Sequence, residues 1–225
     1  MSSMGRRARI VIPDLPHHVV HRGNHSQQVF FCDDDRLEYL RIVTVSARKY
    51  DVRIISFCLM DNHVHLIAVP PEKDSLGLLF RRALMLYSRY INENFDWTGH
   101  LWQGRYYSSP MDLEYLYTAV KYVERNPVRA HMVSLPWEYP WSSAVYRISG
   151  YYPSGLLSRY EPLERMVGDW ADYLSLGLQD SLCEELRSGT SSGRPLGSDV
   201  FIQRIEAATK SDFAHTEQGR PPDWM

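Results

Sequence analysis

Two β-rich runs, residues 52–60 (VRIISFCLM) and 63–70 (HVHLIAVP), are separated by nothing but Asp61–Asn62. Parallel strands need a crossover of a dozen or more residues, whereas an Asp-Asn turn joins antiparallel neighbours directly. A hairpin is therefore expected here, ending at Pro70–Pro71. Upstream, HHVVHRG (17–23) reads as a short strand bounded by Pro16 and Gly23. From Asp33 the pattern turns helical: Asp33, Asp34 and Asp35 fill the first turn, Leu37, Leu40 and Val43 or Val45 form a stripe, and Arg48 and Lys49 close it. Downstream, residues 76–95 form a second amphipathic helix with Leu76, Leu79, Phe80, Ala83, Leu84, Tyr87 and Ile91 on one face. Residues 104–112 suggest one more strand, ending near Pro110. Asp112 then caps a third helix that ends around Asn126, because Pro127 disfavours helical backbone before it.

The order strand, helix, strand, strand, helix, strand is the ferredoxin-like, RRM-like pattern. The expected fold class is α+β: a four-stranded antiparallel sheet with helices on one face, plus a small helical C-terminal appendage. The character changes near residue 150, which divides the chain into 1–150 and a C-terminal extension, 151–225. The extension reads as a short helical stretch (161–174), a Ser/Gly-rich linker (SGTSSGRP), a helix capped by Ser198 and a loose tail. It is a possible DNA- or partner-binding module.

Composition excludes little. Net charge is −2, but residues 1–150 hold 18 of the 25 Lys+Arg and 15 of the 27 Asp+Glu, a net of +3, and the remainder holds −5. The positive charge is mostly arginine, suited to bidentate phosphate contacts. Three separated cysteines, no apolar run of a membrane span and no apolar secretory stretch fit the cytoplasm.

The strongest chemical signal is His63-Val64-His65. Side chains at i and i+2 leave the same face of a strand, so the two imidazoles form a half-site for a divalent metal. The competing reading is a structural pair. A third ligand is suggested by helix spacing: Asn126 follows Tyr122 by four residues, so an amide oxygen and a phenol share a helix face. Amphipathic burial explains Tyr115, Tyr117 and Tyr122 equally well at this level. His17, His18 and His21 form another cluster, of which His17 and His21 share parity; packing or DNA contact is favoured there over a second metal site.

The ordered series SFCLMDNHVHLIA, GHLWQGRYYSSP, YLYTAVKYVERNPVRAHMV and WEYPWSSAVY resembles the single-tyrosine HUH transposases, closest to the branch of REP-associated tyrosine transposases, over roughly residues 6–150. The resemblance implies a DNA endonuclease and strand transferase acting on single-stranded hairpin or palindromic DNA through a 5′-phosphotyrosine. It implies that Tyr122 is the nucleophile, with Tyr115 and Tyr117 as runners-up, and that His63, His65 and Asn126 hold Mg2+ or Mn2+. The partners expected are single-stranded DNA hairpins, bound by a monomer or homodimer in a bacterial, nucleoid-associated setting. Arg6, Arg7 and Arg9 suggest a DNA-contacting arm. Arg22, Arg81, Arg82 and Arg105 are further candidates for phosphate contact, against the plainer reading of a solvated helix face. Trp102, Trp137 and Trp141 read as core or cover. Two alternatives share the fold: a replication-initiator-like nickase, and a non-catalytic RRM-like nucleic-acid-binding protein.

Overall fold

The computed structural model describes residues 9–153 and 155–213. Its first part runs β1 (His17–Arg22), α1 (Asp33–Lys49), β2 (Arg53–Met60), β3 (His63–Val69), α2 (Ser75–Phe95), β4 (Tyr107–Pro110) and α3 (Leu113–Glu124). The strands lie in the order β2-β3-β1-β4, every neighbour antiparallel. This is the ferredoxin-like sheet expected from the hairpin and its flanking elements. Asp112 caps α3 by accepting from the Tyr115 amide at 3.0 Å. The helix ends at Glu124, slightly before the expected limit. Asn126 instead opens a short α4 (Asn126–Arg129), where Pro127 sits in a first turn that requires no amide hydrogen.

Pleating divides the side chains of the sheet between two cores. Val19, Phe57, Leu59, Val64, Leu66 and Ala68 pack with Tyr39 and Val43 of α1 and with Leu79, Phe80 and Tyr87 of α2. Ile55, Cys58, Met60, Ile67 and Val69 face the other way, against Leu116, Ala119, Val120 and Val123 of α3. A bulge between Ile54 and Ser56 shifts the register of β2, which lets Ile54 and Phe57 share a core despite opposite parity.

The second face is covered too, because the chain beyond residue 140 folds back over it. It forms α5 (Ala144–Ser149), α6 (Glu161–Met166), α7 (Trp170–Ser175), α8 (Asp180–Ser192) and α9 (Asp199–Thr209). Leu163, Tyr173, Leu174, Cys183, Leu186 and Leu196 join the α3-side core. Leu196 also pairs with the end of the edge strand: its amide donates to the Pro110 carbonyl at 2.9 Å, and its carbonyl accepts from the Asp112 amide at 3.0 Å. The exposed edge of β4 is thereby partly closed.

The expected Ser/Gly linker is a correction. Residues 188–192 are the last turns of α8. Gly189 is there because Leu196 presses on it; a Cβ would stand 2.5 Å from Leu196 Cδ2. Thr190 donates its hydroxyl hydrogen to the Leu186 carbonyl at 2.7 Å. Tertiary packing overrides a composition that suggests a loop.

A buried ion pair fixes the end of α3. Arg147 Nε lies 3.3 Å from Glu124 Oε1, with both side chains fully buried. Ser143 and Ser56 donate to the same oxygen at 2.6 and 3.0 Å, and Arg147 also reaches the Ile55 carbonyl at 2.6 Å. The network ties α3 to β2 and α5. Arg147→Met is expected to cost roughly 3–5 kcal/mol, because it strands the Glu124 carboxylate in the core. The Arg147→Met, Glu124→Met double variant should recover much of that loss in urea unfolding, and a double variant as unstable as the sum of the two single changes would contradict the assignment.

Candidate active site

His63 and His65 leave β3 on the α3 side, opposite Val64. Their ring centroids are 5.0 Å apart, with planes at 79°. Each δ nitrogen is engaged: His63 Nδ1 lies 2.6 Å from Asn62 Oδ1, and His65 Nδ1 lies 2.9 Å from His18 Nε2. Among the described residues neither ε nitrogen has a hydrogen-bond partner.

Tyr122 of α3 stands over His65 and its neighbour His18. Its ring meets the His65 ring edge-on at a centroid distance of 5.6 Å, and the His18 ring at 5.9 Å. The phenol oxygen receives a hydrogen bond from Arg187 Nε of α8 at 3.2 Å, and the Arg129 guanidinium of α4 lies 5.0 Å from the ring centre. The other two tyrosines of α3 are employed elsewhere. Tyr115 donates to Glu185, and burial together with that carboxylate pushes its phenol well up. Tyr117 packs on Tyr173 at 4.6 Å. Asn126 is buried, and its Nδ2 donates to the Tyr122 carbonyl at 3.1 Å, which leaves Oδ1 as the amide's uncommitted acceptor.

A family model described as "Transposase IS200 like" matches residues 12–126. The chain belongs to the IS200-like transposase family. Among solved structures, the transposase resembles a REP-associated tyrosine transposase bound to a REP hairpin, with a TM-score of 0.54 and 18% identity over 71% of this chain and 92% of that one. A Deinococcus radiodurans protein described as a transposase matches at a TM-score of 0.38 and 17% identity, over 54% of this chain and 97% of that one, too slight a likeness to argue from. No curated protein matches the chain.

The expected basic residues of the transposase are dispersed. Arg22, the register partner of His63, lines a surface cleft with Gln103, Gly104, Arg105 and Tyr107. Arg9 is held against the body, its Nε donating to the Tyr106 carbonyl at 2.8 Å and its guanidinium 3.9 Å from the Tyr106 ring centre. Arg6 and Arg7 lie outside the described residues. Arg81 and Arg82 are not brought to the histidines: α2 packs on the Val64 side, so they stand behind the sheet. An amphipathic pattern tells which side of a helix is polar, not which face of a sheet it covers.

Arg129, Arg187 and Thr190 escaped sequence reasoning, and His18, read there as packing or DNA contact, stands beside the site. His18 shares the histidine face because β1 alternates, and His17 and His21 point to the other core, where His21 Nε2 lies 2.6 Å from the Tyr39 hydroxyl. Arg129 lies beyond the expected end of the third helix, in α4, so helical spacing from Tyr122 does not reach it. Arg187 and Thr190 come from the C-terminal extension, where no local pattern signals them.

The donor set suits a cation that also binds phosphate. The described residues contain no group of three His, Cys, Asp or Glu side chains placed to hold a metal, so two imidazoles need an amide oxygen and substrate oxygens to complete a shell. Imidazole ligation moves such a site toward Mn2+ relative to Mg2+. The imidazoles are ready for it at neutral pH. Burial pushes His18 and His63 down to about 3, with Arg22 and Arg129 adding to the effect on His63. Burial and then the neighbouring His63 carry His65 well below its ordinary value. Burial lowers His17 to about 4 and His21 to about 3.

Unfolded histidines take up protons near pH 6.5, and these five do so in the folded transposase only at far lower pH. Between about pH 6.5 and 4 the unfolded chain therefore binds more protons, and folding stability falls as pH falls. The urea midpoint should be flat from pH 7 to 8.5 and drop steadily below pH 6.5. A midpoint unchanged down to pH 4.5 would show that the buried rings are not held neutral.

Proposed function

We propose that this transposase is a metal-dependent, single-tyrosine nuclease of the HUH kind that cuts and rejoins single-stranded DNA at hairpin or palindromic sequences. The observation that carries the reading is the Tyr122 phenol seated over His65, with a ring separation of 5.6 Å. Both side chains belong to one chain.

His63, His65 and Asn126 are the groups that would hold Mg2+ or Mn2+. A divalent cation bound there would draw charge from the scissile phosphate and orient it for in-line attack. The Tyr122 oxygen attacks phosphorus, and its bond to phosphorus replaces the bond to the 3′-oxygen. The 5′-phosphate stays on the tyrosine, and the phenol's proton is, in overall balance, the one the released 3′-hydroxyl carries away. Arg187 brings positive charge to the attacking oxygen at the moment it must carry a negative one, and the Arg129 guanidinium lies over the same ring. The covalent link conserves the phosphodiester, so a second 3′-hydroxyl reseals the strand without ATP.

A hairpin substrate is supported by the solved relative, which is bound to one. Arg22 and Arg105, in the cleft beside the His63 strand end, are proposed as contacts to the phosphates that flank the scissile bond.

With labelled hairpin single-stranded DNA and Mn2+, a covalent protein–DNA band is expected on a denaturing gel. It should vanish with a chelator and in Tyr122→Phe, and persist in Tyr115→Phe. A band that survives in Tyr122→Phe would remove the nucleophile, and no band with any single-stranded substrate would favour a binding module. Arg22→Ala and Arg105→Ala should each weaken DNA binding and reduce the salt slope by about 0.7 per lost phosphate contact. An unchanged slope would remove those residues from the DNA track.

A further inference from the structure

We propose that His18 and Thr190 are positioning residues that set the tautomer of His65 and so present its ε nitrogen, unprotonated, to the cation of the active site. The proposal rests on the metal-binding reading above.

The direction of every hydrogen bond in the chain follows from its far end. Thr190 Oγ1 lies 2.7 Å from the Leu186 carbonyl, which only accepts, so the hydroxyl hydrogen is spent there. Thr190 Oγ1 is also 2.7 Å from His18 Nδ1. With its hydrogen committed, the hydroxyl oxygen can only accept in that second contact, so His18 carries its proton on Nδ1. A neutral imidazole with a proton on Nδ1 has a bare Nε2. That atom lies 2.9 Å from His65 Nδ1, which must therefore be the donor. His65 in turn is left with a lone pair on Nε2.

The ring geometry agrees. The His18 and His65 planes are parallel to within 5°, with centroids 5.2 Å apart. Given the 2.9 Å contact between nitrogens, the rings lie edge to edge in one plane, which is how an imidazole N–H meets an imidazole lone pair. All three side chains are buried, at 1% exposure for His18, 2% for His65 and 1% for Thr190, so water is not positioned to scramble the pattern. His63 is held in the same sense by a shorter route: Asn62 Oδ1 accepts from its Nδ1 at 2.6 Å, while Asn62 Nδ2 donates to the Ser26 carbonyl at 3.1 Å. Outer partners of this kind fix the orientation and basicity of ligating histidines. Here one of them is supplied by α8, 172 residues from its partner in β1.

Thr190→Val keeps the shape and removes the acceptor, which frees His18 to carry its proton on Nε2 and drive the His65 proton to its own Nε2. Thr190→Ser restores the hydroxyl. Two readouts on the full chain test this. Long-range 15N–1H spectra of the metal-free protein should show His65 protonated on Nδ1 in wild type and Thr190→Ser, with the Nε2–H form appearing in Thr190→Val. Mn2+ titration should give a dissociation constant some 10–100-fold weaker in Thr190→Val and close to wild type in Thr190→Ser. A role confined to packing would lower the metal-free melting temperature of Thr190→Val without moving the tautomer, and that result overturns the proposal. So does a wild-type His65 protonated on Nε2. If wild type binds no Mn2+ at all, the cation reading of the site falls, and the spectra of the metal-free protein still decide the relay.

Discussion

The pleat of β3 is the constraint from which the rest of the site follows. Val64, Leu66 and Ala68 are committed to the core under α1 and α2, so His63 and His65 must emerge on the opposite face. The strand is central, with β1 and β2 on either side and pairings that place His65 opposite Val20 and Cys58. A slip of one residue would drive both imidazoles into an aliphatic core, a cost that pins the register. Once the histidine face is fixed, whatever covers it determines the chemistry. That cover is α3, whose apolar side carries Tyr122.

The covering helix is itself held by something other than apolar packing. Glu124 lies between Tyr122 and Asn126 and is clamped by Arg147, Ser56 and Ser143 in a pocket without water access. This buried charge network fixes where α3 stops and where the turn into α4 begins, and so fixes the spacing of phenol and amide. From the other side, α8 reaches over the same face. Arg187 touches the phenol oxygen and Thr190 touches His18. The catalytic sheet and the C-terminal helices thus share one core and one set of polar contacts around the site.

Much of this was legible in the residues. The Asp61–Asn62 turn dictated an antiparallel hairpin, and Asp112 marked the start of α3. His18 was not legible, because HHVVHRG carries histidines of both parities and only the pairing with β3 says which parity faces the site. Arg81 and Arg82 were indistinguishable in sequence from site residues, since the polar face of a helix looks the same on either side of a sheet. Thr190 and Arg187 were hidden by composition. A Ser/Gly-rich run reads as a linker until Leu196 is seen packed against Gly189.

The chemistry proposed for the site requires one cation shared between the β3 imidazoles and the substrate phosphate beneath Tyr122. Anomalous diffraction at the manganese edge, from crystals of Tyr122→Phe with Mn2+ and an uncleaved single strand, locates that ion directly. A single strong peak is expected, bonded to the ε nitrogens of His63 and His65 and to an oxygen of the scissile phosphate, with the aromatic ring of residue 122 on the same side. A peak elsewhere on the molecule, or a phosphate bound at the site with no peak beside the two histidines, would contradict it.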